Sequence, residues 1–197
     1  MTAVSTDRGA ATADRIVKTA VSCFFDYGYH ATSMRQIAAK AHIQPASMYH
    51  WFSGKEALLL TVMEGFMADL ATTVEAAVAE CDDPRGQLEA AVHAHVVHHV
   101  RHRREALVSD TELRALSGRP RSEIVRRRDR YQSLFRELIE RGLTDGVFEC
   151  DDAGIATNAI LVQCTGVASW YRPRGRLPLE SVAQAHAHLV LNSLQPR

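Results

Sequence analysis

The chain has 197 residues, 46% of them hydrophobic, and its 23 Lys and Arg balance its 23 Asp and Glu. Zero net charge excludes a globally basic, histone-like nucleic-acid binder, and this length can bury a core without disulfide or metal staples. The cysteines, Cys23, Cys81, Cys150 and Cys164, lie far apart with no Cys-x-x-Cys pair. That excludes a zinc ribbon and a disulfide framework and suits thiols in a reducing cytoplasm.

Residues 1–11 are small and polar and read as a flexible arm with no apolar leader segment. A first helix over residues 12–27 puts Ile16, Ala20, Cys23, Phe24 and Tyr27 on one stripe. Gly28 follows, where a left-handed residue ends a helix. Ser33 and Gln36 form a capping box that opens a second helix, with Ile37, Ala38 and Ala41 as its small apolar face. After a turn at residues 41–43, Pro45 sits at a first helical position that can lack an N–H. Only about two turns of helix fit before Phe52. That third helix carries Ser47, Tyr49 and His50 among few bulky aliphatics, so burial gives it little and its side chains are free to touch a partner.

Ser53 with Glu56 reads as a second capping box, opening a long helix to residue 80 with Leu59, Met63, Phe66 and Leu70 in its stripe. Asp82-Asp83-Pro84 breaks the chain. Further helices are expected at 84–103, 105–117, 120–141, 152–171 and 179–194. The uncharged run 153–171 is long enough to span a membrane but too polar, so it reads as a helix buried in protein. No alternating period-two segment of useful length and no internal repeat is present. The fold class expected is all-α, about nine helices. Its parts are an arm (1–11), a helix-turn-helix domain (12–56) and a C-terminal domain (57–197).

Two short helices joined by a tight turn make a helix-turn-helix, whose second helix can enter the DNA major groove. Residues 1–55 hold six basic and three acidic residues, a local +3 that favours phosphate contact. Thr32-Ser33, Ile37-Ala38, Pro45, Tyr49-His50, Phe52 and Lys55-Glu56-Ala57-Leu58 resemble the DNA-binding domain of TetR-family transcriptional regulators. The resemblance covers residues 12–60. It implies a cytoplasmic homodimeric repressor that binds a palindromic double-stranded DNA operator and is released by a small-molecule effector. It also implies a C-terminal domain that binds this effector and closes the dimer through the last two helices.

By the same resemblance Gln44, Ala46, Ser47, Tyr49 and His50 face DNA, while Thr32, Ser33 and Lys55 meet phosphates. Gln44 can pair with adenine or another base edge, and Ser47 with base or phosphate. Tyr49, His50 and Lys55 can each donate to phosphate oxygens, contacts that set affinity more than sequence choice. Trp51 reads as a packing residue. Two positions depart from the family pattern. His42 stands where the turn commonly has Gly, and so needs a left-handed backbone at some cost. Gln44 stands where a capping Ser is common, and glutamine is a poor cap.

In the C-terminal part His95, His98, His99 and His102 fall at i, i+3, i+4 and i+7, on one helix face. They read as a polar pocket lining, as a pH-responsive face, or as candidate metal ligands with no carboxylate or cysteine at ligand spacing. Arg127 and Arg128 lie beside the stripe of Ile124, Tyr131, Phe135 and Leu138, where an inward arginine needs an anionic partner. That partner is either a ligand such as an acyl-CoA or a side chain among Glu105, Asp110 and Glu112. The effector residues expected are therefore His95, His99, Arg127, Arg128, Tyr131 and Trp170, with a lipophilic or anionic effector. No Gly-x-Ser-x-Gly elbow, phosphate loop, His-Glu-x-x-His pair or dinucleotide fingerprint occurs. The expectation is therefore no enzyme, no cofactor and no membrane partner.

Overall fold

A computed structural model describes residues 3–196 of the chain. Every regular element among them is helical. In chain order they are α1 (Ala3–Tyr27), α2 (Met34–Lys40), α3 (Pro45–Trp51), α4 (Lys55–Ala79), α5 (Pro84–Arg101) and α6 (Arg103–Thr111). A 3₁₀ turn (Leu113–Ala115) follows, then α7 (Gly118–Thr144), α8 (Ala153–Thr165), the single-turn α9 (Val167–Trp170) and α10 (Leu179–Ser193). The all-α class expected from the hydrophobic periodicity is borne out. The stretch expected as one helix over 152–171 divides at Gly166 into α8 and α9.

Two apolar cores organise these helices. In the first, Ile16 and Phe24 of α1 meet Ile37 and Ala38 of α2, Met48 of α3, and Leu58, Leu59 and Met63 of α4. Val108, Leu116 and Ile124 from the second half of the chain join it. In the second, Phe66, Leu70 and Val74 continue along α4 and meet Leu88, Val92 and Val96 of α5. Phe135 and Ile139 of α7, Cys164 of α8, and Ala183, Ala187 and Leu191 of α10 complete it. α4 thus runs from one core into the other. By length and composition it is apolar enough to cross a membrane, but Leu58 through Val74 supply eight buried residues to these two cores.

Local signals around the helix-turn-helix are realised. Ser33 caps α2 with the reciprocal bonds of a capping box: the Gln36 N–H donates to Ser33 Oγ at 3.2 Å and the Ser33 N–H to Gln36 Oε1 at 2.7 Å. Gly28 has φ +80°, and His42 takes φ +54°. Gln44 caps α3 with no side-chain bond, and Pro45 follows it.

Three expectations are corrected. α1 begins at Ala3, so residues 3–11 are helix rather than a flexible arm; Met1 and Thr2 lie outside the described residues. The alanines of this stretch favour helix without making an amphipathic stripe. Gly9 also lets the helix pass close to Trp51, whose ring would lie 3.2 Å from a Cβ placed there. Second, α4 is capped by Gly54 with no side-chain bond, and Ser53 forms no capping box. Glu56 instead accepts from the Ser117 N–H at 2.8 Å and its hydroxyl at 3.1 Å, 61 residues along the chain. Third, the helix expected over 105–117 is α6 ending at Thr111, then the 3₁₀ turn.

Candidate nucleic-acid interface and ligand cavity

α3 is anchored by a single buried side chain, Met48, with no exposure at all. Around that anchor the helix turns outward. Gln44, Ala46 and His50 are exposed, Ser47 is half-buried, and Tyr49 is 60% exposed. A large aromatic left that open on a seven-residue helix gains little from folding and is available to a partner. Trp51 is 41% exposed and lies against Gly9 of α1, so it packs at the module's edge rather than in its core.

The side chains expected at phosphates divide. Ser33 is exposed at the start of α2, although its hydroxyl is engaged with Gln36. Thr32 and the half-buried Lys55 instead have their side-chain donors engaged within the protein. Thr32 is buried, with its hydroxyl 2.8 Å from the Gly28 carbonyl and 3.1 Å from that of Cys23. The Lys55 ammonium donates to the carbonyls of Tyr29 and Thr32, each at 2.7 Å, and lies 4.3 Å from the centre of the Tyr29 ring. Desolvation pushes its pKa down, opposed by the nearby Glu112 carboxylate. Sequence reasoning passed over Arg35, which is exposed in the first turn of α2 and makes no ion pair among the described residues. Its signal was available: it is the one cation in that turn.

In the second core, α4, α5, α6, α7 and α8 enclose a cavity of about 310 Å³. Phe66, Met67, Leu70 and Leu161 give it apolar walls; His95, His99, Ser109, Asp110, Arg128, Tyr131, Asn158 and Thr165 supply polar ones. An apolar hollow with a few convergent polar groups is the usual form of a small-molecule site.

His95 is its most constrained member. Nδ1 lies 2.8 Å from the Tyr131 hydroxyl and Nε2 3.2 Å from that of Thr165. The His99 ring stacks on it at 4.0 Å, and His99 Nδ1 donates to the His95 carbonyl at 3.0 Å. Burial, then the neighbouring imidazoles of His99 and His98, hold the His95 pKa well below the ordinary value of 6.5. Burial likewise brings His99 and His98 down to about 4. These rings are neutral hydrogen-bonding groups at neutral pH. Burial also raises the Tyr131 hydroxyl and takes the Cys164 thiol to about 12, so that thiol is unreactive.

His98 and His102 form a separate stack, 4.4 Å apart and outside the cavity. With both ring nitrogens of His95 engaged, the histidine face is split into two stacked pairs rather than converging on one point. Among the described residues no group of three His, Cys, Asp or Glu is placed to hold a metal ion.

The two arginines also part. Arg128 lines the cavity, donates to the Ser109 carbonyl at 2.7 Å and lies 3.6 Å from Asp110. Arg127 does not line it and pairs with Glu64 at 3.4 Å and Glu123 at 3.1 Å. Trp170 is elsewhere, stacked on His186 at the wall of a second hollow of about 350 Å³ with Arg172, Arg176 and Leu189. Of the six effector residues expected, His95, His99, Arg128 and Tyr131 come together; Arg127 and Trp170 do not. Asp110 is one of the side-chain partners the sequence offered to the arginines, whereas Ser109 was not foreseen, because α6 supplies it only after folding back. The Ser109 hydroxyl is buried without a partner.

Comparison with known proteins places both regions. The sequence model described as "Bacterial regulatory proteins, tetR family" matches residues 16–62. One described as "Tetracyclin repressor-like, C-terminal domain" matches residues 81–194. The HTH-type transcriptional repressor KstR2 of Rhodococcus jostii RHA1 is 28% identical over 181 residues, 91% of this chain and 89% of that protein. A tetR-family regulatory protein of Rhodococcus RHA1 superposes with a TM-score of 0.89 at 28% identity, covering 94% of this chain and 98% of the other. AibR, solved with isovaleryl coenzyme A and operator DNA, gives 0.84 at 26% identity, covering 90% of this chain and 97% of the other.

Proposed function

Because the chain belongs to the TetR family of bacterial regulatory proteins, we propose that it is a homodimeric, ligand-responsive transcriptional repressor. It reads a palindromic operator through Gln44, Ala46, Ser47, Tyr49 and His50 of α3, with Ser33 and Arg35 as phosphate donors. The observation that carries this reading is the arrangement of α3: an open polar and aromatic face standing on one fully buried methionine. Relatives named as transcriptional repressors support it. Catalysis has no part in this reading, and the protein acts in the cytoplasm where its DNA is.

The dimer forms through α8 and α10. Ile155 and Val162 of α8 are 71% and 75% exposed, and Leu189 of α10 is 59% exposed. Apolar side chains that open, at spacings of one helix face, mark a surface that another molecule covers. A two-fold axis there presents two copies of α3 to half-sites one helical turn apart or a multiple of it.

The effector occupies the cavity between α4 and α8. AibR, whose fold matches, is solved with an acyl-CoA, and Arg128 stands at this cavity's wall as the group that would receive an anion. An acyl-CoA or another lipophilic anion fits that combination of apolar wall and guanidinium. Release of DNA follows only if the effector binds the DNA-bound and free arrangements with different affinities.

Fluorescence anisotropy with duplex DNA from the protein's own upstream region tests the reading. Salt-sensitive, sequence-selective binding by a dimer, weakened by a ligand that also raises the melting temperature in proportion to dose, is the expected result. Binding that is absent, or indifferent to sequence, would overturn it.

A further inference from the structure

The backbone of Tyr29 is held on both sides of its Cα. Its N–H donates to the Glu112 carboxylate at 3.4 Å, and Glu112 ends α6, in the cavity-bearing half of the chain. Its C=O accepts from the Lys55 ammonium at 2.7 Å, and Lys55 is the first residue of α4. The same ammonium reaches the Thr32 carbonyl at 2.7 Å and that of His30 at 3.4 Å. An ammonium has three donors, and here three carbonyls of one loop surround it. That loop, residues 28–33, joins α1 to α2 and so sets the angle at which α2 and α3 leave α1. Its other hydrogen bonds run back to α1, within the loop or to α2: the Thr32 hydroxyl to the Cys23 and Gly28 carbonyls, the Thr32 N–H to Tyr29, and Ser33 at the cap of α2. The Tyr29 ring is buried against Phe24 at 5.3 Å, so the loop is seated in the first core as well.

We propose that Lys55 is a positioning residue for DNA reading: its ammonium, with the Glu112 carboxylate, fixes the α1–α2 loop rather than neutralising a phosphate. The proposal rests on the DNA-binding reading above. Lys55 and Glu112 grip the two peptide groups that flank the Tyr29 Cα, from α4 and from the end of α6, so the loop is a joint at which the cavity half holds the recognition helix in register.

A brace and a phosphate ligand leave different traces. Removing a lysine that neutralises a phosphate lowers the slope of log affinity against log salt by about one. Removing a brace weakens binding at every salt concentration and leaves that slope as it was. Operator binding by the full-length protein across a salt series, with duplex DNA from its own upstream region, separates the two. Lys55→Met, which keeps the stem and removes the donors, is expected to bind about tenfold or more weakly with the slope unchanged. Glu112→Gln weakens binding less, also at constant slope, and Lys55→Arg recovers part of the affinity. Arg35→Ala serves as the contrast, its slope falling by about one.

A slope reduced by about one in Lys55→Met, or an affinity equal to the parent's, overturns the proposal. Amide exchange of residues 29–33 in the free protein is independent of DNA. Exchange there speeds up in Lys55→Met and Glu112→Gln if the brace exists, and unchanged exchange overturns it. Should the parent protein bind no DNA, the DNA-binding reading falls and the role of Lys55 in it falls too, while the exchange result still decides whether the ammonium holds the loop. If Lys55→Met does not fold, Lys55→Gln, which also removes the cation, carries the same two measurements.

Discussion

The two ends of this molecule put similar side chains to opposite use. On α3, Ser47, Tyr49 and His50 stand in or near solvent around a buried Met48. In the cavity, Tyr131, His95 and Thr165 are joined in a chain of hydrogen bonds, with Tyr131 and His95 buried and Thr165 half-buried. Residue type does not separate these roles; desolvation does. An exposed polar group loses little when a partner arrives, whereas a buried one must already be satisfied, or it costs a large part of the protein's stability. The first region can therefore be altered for binding with little loss of stability, whereas changes in the second draw on stability directly.

That contrast can be broken at four points. The largest effect is expected where the DNA-reading end is itself a core. Phe24→Ala, at a site 2% exposed, should cost about 3–5 kcal/mol in denaturant unfolding. If it costs under about 1 kcal/mol, the first core does not hold the module together.

Acidification comes next and strikes the second region. The folded protein keeps His98 and His99 neutral down to about 4, while the unfolded chain protonates its histidines near 6.5. Between those values the unfolded state binds more protons, so stability is fully present above about 6.5 and drains away as the pH falls toward 4. Melting temperatures over that range should fall steeply, and a His98→Gln, His99→Gln double variant should make the fall shallower, with buried His95 supplying what remains. A parent curve that is already flat would mean that these rings are hydrated.

Tyr49→Ala is expected to leave unfolding within about 0.5 kcal/mol of the parent while weakening operator binding about tenfold, near 1.4 kcal/mol. A large loss of stability would move Tyr49 from the reading face into the scaffold. An effect of similar size, read in stability rather than in binding, belongs to Tyr131→Phe, which removes one partner of His95 and should cost about 1–2 kcal/mol. A thermal shift below detection would indicate that another group takes the hydroxyl's place.

Much of the fold was legible because its signals are local. The Ser33–Gln36 box, the left-handed Gly28 and the missing N–H of Pro45 each act within a few residues, and each is realised. What escaped depends on distance along the chain. Glu56 has the spacing of a capping partner, yet its carboxylate meets Ser117. Lys55 looks like an exposed cation, yet the carbonyls that engage it belong to residues 29–32, more than twenty positions earlier. Arg127 and Arg128 are adjacent, and a helix turn of about 100° sends one to Glu64 and the other to Ser109. The start of α1 was missed for a different reason: alanine and threonine at residues 3–12 carry no apolar stripe for a periodicity argument to find.

The single rod that threads both cores has a mechanical corollary. At 25 residues, α4 extends for about 37 Å at about 1.5 Å per residue. A tilt of about 5° imposed at its far end therefore swings its near end by about 3 Å, comparable with the spacing of successive base pairs along one DNA strand, about 3.4 Å. A pivot of a few degrees is therefore enough to throw a docked helix off by about one rung of the duplex.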